Sequence, residues 1–137
     1  MIKEEDLLTL INIAHLARKY EFFPLSERMF QHFSAAFPLR GFPHIGLALI
    51  HFQLGHYSRS CVELEKAMEL GEKSKDAYFI YGMCLFHCGK YEKSADALSC
   101  AMEMDKKDGG GGIIESSLAV LKRPEVLPFF KQHPMYL

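Results

Sequence analysis

Residues 41–74 read GFPHIGLALIHFQLGHYSRSCVELEKAMELGEKS, and residues 75–108 read KDAYFIYGMCLFHCGKYEKSADALSCAMEMDKKD. The two segments align without a gap at a shift of 34 residues, and nine of their positions are identical. The identical pairs are Phe52 and Phe86, Gly55 and Gly89, Tyr57 and Tyr91, Ser60 and Ser94, Leu64 and Leu98, Ala67 and Ala101, Met68 and Met102, Glu69 and Glu103, and Lys73 and Lys107. A fixed period of this length is typical of proteins built from repeated supersecondary units.

Each copy carries a glycine, Gly55 or Gly89, between two stretches whose apolar residues recur with the period of a helix. A tyrosine, Tyr57 or Tyr91, follows two positions later. A glycine in this place is typical of a helix that ends in a left-handed residue before a second helix folds back. Each copy is therefore predicted to be a pair of antiparallel helices.

A weaker third copy precedes these two, over residues 7–40. It keeps Ala14, Ala17, Phe23, Ser26, Phe30 and Pro38 at matching positions. Glu21 stands where the other copies have the turn glycine, so the turn of this copy is the least well defined. Small residues at Ala14, Ala48 and Gly82 would let the two helices of each pair approach closely.

The pattern resembles the tetratricopeptide repeat, a helix-turn-helix unit of 34 residues. The last copy matches the family at Tyr78, Tyr81, Gly82, Leu85, Gly89, Tyr91, Ser94, Leu98 and Ala101. The middle copy matches at Leu47, Ala48, Gly55, Tyr57, Ser60, Leu64 and Ala67, although His44 and His51 replace large apolar residues. The resemblance implies an all-α fold, a solenoid of three helix-turn-helix repeats with a C-terminal capping helix.

We expect a single domain over residues 1–137, with repeats at 7–40, 41–74 and 75–108, a glycine joint at 109–112 and a cap at 113–137. The predicted helices cover residues 7–20, 24–37, 42–54, 58–71, 76–88 and 92–105, and a closing helix starts near 113. The run Gly109 to Gly112 lacks the Lys-Ser or Lys-Thr of a phosphate-binding loop, so it is a flexible joint or an engineered join. The segment after it either caps the last hairpin or docks into the concave groove that stacked hairpins of this kind form.

The composition disfavours nucleic-acid binding, secretion and membrane insertion. There are 16 basic and 17 acidic residues, interspersed to a net charge of -1, which disfavours a nucleic-acid partner. The sequence shows neither a signal peptide nor an apolar stretch long enough to span a membrane, so we expect a cytoplasmic protein without membrane insertion.

Cys84, His87, Cys88 and Cys100 lie close together and could suggest a metal or redox site. One repeat earlier, the first three positions hold Ile50, Gln53 and Leu54, so the same helix face is built there without ligands. We therefore expect structural cysteines, no zinc, no disulfide and no cofactor. The seven histidines form no metalloprotease pair, and no activated nucleophile or carboxylate pair is evident, so the chain is predicted not to be an enzyme.

In stacked hairpins of this kind, the first helices form the concave wall. The outward positions there are mostly large and apolar, and they define the predicted partner-binding residues: Ile11, Phe42, Ile45, Leu49, Phe52, Phe79, Met83 and Phe86. The first copy adds a basic rim of His15, Arg18 and Lys19. Such a wall suits a protein partner that offers an amphipathic helix or a hydrophobic segment.

Tetratricopeptide proteins that clamp the C-terminal carboxylate of heat-shock chaperones use Lys, Asn and Arg, which the second and third copies lack in their walls. The size and the apolar groove resemble the chaperones of type III secretion systems. This resemblance implies a cytoplasmic chaperone that holds a small secretion-apparatus subunit, with or without a small co-chaperone. Among these chaperones, those that hold the needle subunit are favoured because the repeats begin near the N-terminus. Translocator chaperones and general interaction scaffolds remain the alternatives.

Overall fold

The computed structural model describes residues 2–136, which form eight α-helices and contain no β-strand. The helices are α1 (Glu4–Lys19), α2 (Phe23–Ala36), α3 (Phe42–Gln53), α4 (Tyr57–Glu69), α5 (Lys75–His87), α6 (Tyr91–Lys107), α7 (Gly112–Leu121) and α8 (Leu127–Phe130). The predicted all-α fold is confirmed. Predicted and observed helix ends differ by at most three residues, at the start of α1.

The chain divides into two compact units, one ending at Gly71 and the other starting at Glu72. Unit 1 contains α1 to α4, and unit 2 contains α5 to α8. The expectation of a single domain stays a prediction, and its end residues Met1 and Leu137 lie outside the described part of the chain.

The core of unit 1 is built around Phe30, which is completely buried and packs edge-on against Phe33 with a centroid distance of 5.9 Å. Leu7, Ala14, Leu47 and Ile50 complete this core cluster. Gly46 on α3 lies directly against the Phe30 ring, since a Cβ atom there would stand 2.3 Å from a ring carbon. The glycine therefore sets how closely α3 approaches α2.

The turns inside the helix pairs share one backbone conformation. Gly55 and Gly89 have φ of 77° and 76°. Glu21, at the equivalent place in the first pair, has φ of 66°. The first turn therefore has the same geometry as the other two although its sequence departs from them.

The segment after α6 covers one side of unit 2. Val120, Leu121, Val126 and Phe130 are buried in one cluster with Ala95, Leu98 and Met102 of α6. Ile114 and Leu118 are half-buried against the same cluster. The predicted closing helix is therefore present, and Val126 and Phe130 extend the same buried cluster beyond it.

Asp105 ties the glycine run to unit 2. Its carboxylate is buried, accepts a hydrogen bond of 3.2 Å from the Ile114 N–H and pairs with Lys75 Nζ at 2.9 Å. Its backbone oxygen accepts a 2.8 Å bond from the N–H of Gly110. The residue before α7, Gly111, has no side chain that could cap the helix. Asp105 on α6 instead accepts a hydrogen bond from one of the free N–H groups in the first turn of α7.

Among the helices of residues 2–136, none is both long and apolar enough to cross a bilayer.

Candidate partner-binding faces

In unit 1, one side of α3 presents Phe42, Ile45, Leu49 and Phe52, and all four side chains are half-buried. Their spacing of three and four residues places them along one stripe of the helix. Phe42 is anchored at the start of the stripe, with ring centroids 5.9 Å from Phe33 and 6.1 Å from Phe37. The stripe is therefore anchored to the core at Phe42, and it still has apolar surface that a partner can contact.

Ile11 on α1 is the predicted binding residue contributed by the first helix. It is half-buried and packs against the core of unit 1. Leu8, one turn earlier, is 58% exposed. The unit 1 face, defined as Ile11 together with the α3 stripe, thus has contributions from two helices.

A polar group lies at the end of α1. Arg18 Nη1 donates to Gln53 Oε1 at 2.5 Å, which links α1 to the end of the α3 stripe. Arg18 Nη2 lies 3.4 Å from His15 Nδ1. Burial, and then the charges of Arg18 and Lys19, lower the pKa of His15 to about 4, so its imidazole is neutral near pH 7. The basic rim predicted from the sequence therefore carries its charge on Arg18 and Lys19.

In unit 2, the predicted residues Phe79, Met83 and Phe86 lie on α5 and are half-buried. All three pack against the cluster formed by α6 and the C-terminal segment. The guanidinium of Arg123 lies 5.2 Å from the Phe86 ring centroid. The C-terminal segment therefore covers part of the α5 stripe, an outcome that the sequence left open.

The sequence matches no protein-family model and no curated protein. The TPR domain of Sgt2 from Aspergillus fumigatus superposes with a TM-score of 0.72 at 16% identity, over 84% of this chain and 76% of that chain. The type III secretion translocator chaperone SycD of Yersinia enterocolitica gives 0.75 at 17% identity, over 97% and 90% of the two chains. The fold is that of tetratricopeptide-repeat domains.

A third neighbour is the TPR2B domain of yeast Sti1 in its complex with pHsp70, with a TM-score of 0.68, 15% identity and coverage of 91% of this chain and 99% of that one. These neighbours are two tetratricopeptide domains and a translocator chaperone. At such identities, the likeness establishes the tetratricopeptide fold.

Phe52 and Phe86 occupy equivalent places in two tetratricopeptide units. Phe52 packs edge-on against Tyr57 at 5.5 Å, and Phe86 packs against Tyr91 at 5.8 Å. Each pair joins the end of a first helix to the start of a second. Both phenylalanines are therefore held partly in the packing of their own helix pairs, whereas the sequence led us to expect them on the groove surface alone. Their role in binding stays a prediction.

The four cysteines, all of which lie within residues 2–136, form no disulfide. Cys61 and Cys84 are buried, Cys88 is half-buried, and Cys100 is exposed. The part of the Cys100 side chain that is buried, and then the charges of Glu103 and Asp96, raise the pKa of its thiol, which keeps it protonated and weakly nucleophilic. Within residues 2–136, no three His, Cys, Asp or Glu side chains converge on a metal-sized site.

An open groove of about 230 Å³ lies between α5 and α6, lined by Tyr78, Tyr81, Lys93, Asp96, Ala97 and Cys100. Sequence reasoning missed it, because it results from how the two helices pack. Sequence reasoning also missed Arg123, since the tail has no equivalent in the repeats that could reveal its position.

Proposed function

We propose that this protein is a chaperone of a type III secretion system that holds a hydrophobic or amphipathic helical segment of a small secretion-apparatus subunit. The observation that carries the proposal is the superposition on the translocator chaperone SycD, which extends over 97% of this chain. The half-buried apolar stripe of α3 supplies a surface of matching chemistry. Such stripes are suited to the apolar face of an amphipathic helix.

The needle subunit is the partner proposed first. The α3 stripe runs from Phe42 to Phe52, a helical distance of about 15 Å at 1.5 Å per residue. A surface of that length accommodates one short helical segment, which suits a small subunit. Holding that segment would keep the subunit from assembling prematurely.

Translocators are the second candidate, because SycD is a translocator chaperone. A general interaction scaffold is the third, supported by the likeness to the domains of Sgt2 and Sti1. The three candidates differ in the partner that they bind and in stoichiometry.

The test is co-purification of the full chain with the needle subunit, and separately with each translocator, of the secretion system in its source organism. The proposal expects a stable one-to-one complex with the needle subunit on size-exclusion chromatography. Binding of a translocator but not of the needle subunit would favour the second candidate, a translocator chaperone. Weak binding to several unrelated peptides, without a stable complex, would support the scaffold.

The Leu49→Glu variant tests whether the unit 1 face is the binding surface. Anchor residues in grooves typically contribute about 2 kcal/mol or more to binding, so this variant should lose most of its affinity. Val62→Glu is the matched control, because Val62 lies on α4 and is 49% exposed. Equal losses in both variants would argue against the unit 1 face.

A further inference from the structure

The exposed side of α1 carries a stripe of five residues that is symmetrical in its spacing. Glu5, Leu8, Asn12, Leu16 and Lys19 are separated by three, four, four and three residues, which places them along one side of the helix. All five residues are exposed, Leu8 to 58% and Leu16 to 52%. We call these five residues the outer stripe. It has an acidic residue at one end, a basic residue at the other, a leucine inside each charge and an amide at its centre.

The second helix pair shows what covers the equivalent positions there. One repeat later along the sequence, Asn12 and Leu16 correspond to Gly46 and Ile50 of α3. Ile50 is completely buried in the core cluster, and Gly46 lies against the Phe30 ring of α2. A helix, α2, therefore covers on α3 the positions that are exposed on α1.

The charges of α1 favour one direction for a helix that covers the outer stripe. The first turn of α1 carries Glu4, Glu5 and Asp6, and its last turn carries Arg18 and Lys19. None of the ion pairs formed within residues 2–136 includes Glu5 or Lys19. An antiparallel helix with the same charges would place its basic turn beside Glu5 and its acidic turn beside Lys19, whereas a parallel one would oppose like charges. The outer stripe is therefore complementary to a second copy of itself.

We propose that the outer stripe is a dimer interface, in which it packs antiparallel against the outer stripe of a second copy of this chain. Glu5 and Lys19 lie seven residues on either side of Asn12, and Leu8 and Leu16 lie four. A two-fold axis at Asn12 therefore sets Glu5 opposite Lys19 and Leu8 opposite Leu16, as a symmetric interface requires. The two Asn12 amides meet on the axis and fix the register, as a single asparagine does in coiled coils. The α3 stripe takes no part in this contact, so the inference does not rest on the proposed function.

The interface is small, and we expect a weak dimer. α1 has 16 residues and is about 24 Å long at about 1.5 Å per residue. Ile13 and Tyr20, which are 46% and 70% exposed, flank the outer stripe and add apolar area. A stable interface commonly buries about 800 Å² on each partner, which one pair of short helices does not reach by itself. A dissociation constant of roughly 1 to 100 μM is therefore expected.

Sedimentation velocity of the full chain over a range of concentrations measures the dimer. The average mass should rise with concentration from the 15.7 kDa of one chain toward twice that value. Leu16→Glu should weaken the dimer at least about tenfold, because it places a carboxylate in the apolar contact. Val62→Glu is the matched control on α4, where Val62 is 49% exposed, and it should dimerise as the unaltered chain does. Circular dichroism checks that both variants keep their helices.

A pair of charge variants tests the antiparallel direction. Glu5→Lys and Lys19→Glu should each dimerise at least about threefold more weakly on its own, since each opposes like charges at both ends of the interface. When the two variants are mixed, they should form a heterodimer about as tight as the unaltered dimer, because Glu5 and Lys19 are then replaced by pairs of opposite sign. Both changes lie at exposed positions, so they also decide the matter if Leu16→Glu does not fold.

Several results would overturn the inference. A chain that stays monomeric up to about 1 mM does not dimerise through the outer stripe. A dimer that Leu16→Glu weakens no more than Val62→Glu does forms through another surface. A dimer that is weakened by both charge variants and is not restored by mixing them is not antiparallel. If the chain is monomeric and Leu16→Glu instead weakens its complex with a secretion subunit, the outer stripe binds that subunit and not a second copy.

Discussion

The Ser94 hydroxyl donates a hydrogen bond of 2.7 Å to the backbone carbonyl oxygen of Gly82. Ser60 makes the same bond to Ala48 and Ser26 makes it to Ala14, each at 2.8 Å. All three serines are completely buried. In each pair of helices, a side chain of the second helix therefore bonds to the backbone of the first at a point where a small residue allows close approach.

Ser94→Ala should lower the free energy of unfolding by about 1 kcal/mol, because it removes a buried hydrogen bond. Ser99→Ala is the matched control, since the Ser99 hydroxyl is buried on the same helix without a hydrogen-bond partner in the described part of the chain. That change should be neutral or stabilising. Urea denaturation followed by circular dichroism measures both. A larger loss for Ser99→Ala would contradict the proposed role of the hydroxyl bond.

Gly46→Ala should destabilise unit 1 by about 1 to 3 kcal/mol, because its new methyl group would overlap the Phe30 ring. Gly112→Ala serves as the control, since a Cβ atom there meets no other atom within 4 Å at the start of α7. It should leave stability unchanged or raise it slightly. Thermal denaturation of the two variants checks the difference, and equal effects would argue against close packing at Gly46.

The fold could be predicted because the repeated residues are the ones that make the repeated contacts. Ser60 and Ser94 are identical in sequence and form identical hydrogen bonds. Gly55 and Gly89 are identical and share the left-handed turn conformation. At these positions, a residue that recurs in both copies of the sequence already indicates a contact or a turn that recurs in the structure.

The candidate site was less predictable, because it depends on residues without an equivalent in the other copies. Arg123 contacts Phe86 from a tail that has no repeat partner. Helical spacing predicts the side of α5 on which Phe79 and Met83 lie, but how far they are buried depends on that tail.

Glu21→Gly should raise the free energy of unfolding by about 0.5 to 1 kcal/mol. Glu21 has φ of 66°, which costs an ordinary residue about 1 to 2 kcal/mol and costs glycine little. Part of the gain is offset by the greater freedom of glycine in the unfolded chain. Arg28→Gly, at an exposed position inside α2, should instead destabilise by about 1 kcal/mol. If both changes destabilised the protein, the turn at Glu21 would not be strained.

His15 should make unit 1 less stable in mild acid. Its pKa falls from 6.5 to about 4 on folding, chiefly through burial. The unfolded chain therefore takes up a proton below pH 6.5 that the folded chain does not take up until about pH 4, and the free energy of unfolding falls across that window. His15→Gln should flatten this dependence in urea titrations performed at several pH values.

A residual slope should remain in His15→Gln, because burial also lowers the pKa of His51. The control is His32→Gln, since His32 is exposed on α2. This variant should keep the full dependence on pH. An unchanged slope in His15→Gln, or a loss of slope in His32→Gln, would show that His15 is not the group responsible.

Asp105 should make unit 2 sensitive to stronger acid. The hydrogen bond from Lys75 is the main cause that holds the pKa of Asp105 below its usual 3.8, and the N–H of Ile114 contributes in the same direction. The stabilisation is fully present above pH 3.8 and is lost as the pH falls through the lower folded value. Asp105→Asn should lower stability at neutral pH and remove this acid dependence.

Lys75, the partner of Asp105, should make unit 2 less stable at high pH as well. Bonds to Asp105, and then to Asp108 at 3.2 Å, raise the pKa of Lys75 above 10.5. The stabilisation from Lys75 is therefore complete below pH 10.5 and is lost as the pH rises through the higher folded value. Thermal denaturation should show the pH dependence of Asp105→Asn flattened in acid and reduced in alkali, where Asp108 still pairs with Lys75. Glu103→Gln, an exposed change on α6, should keep both dependences. A variant curve parallel to that of the unaltered chain at both ends would mean that the ion pair does not anchor α7 to α5 and α6.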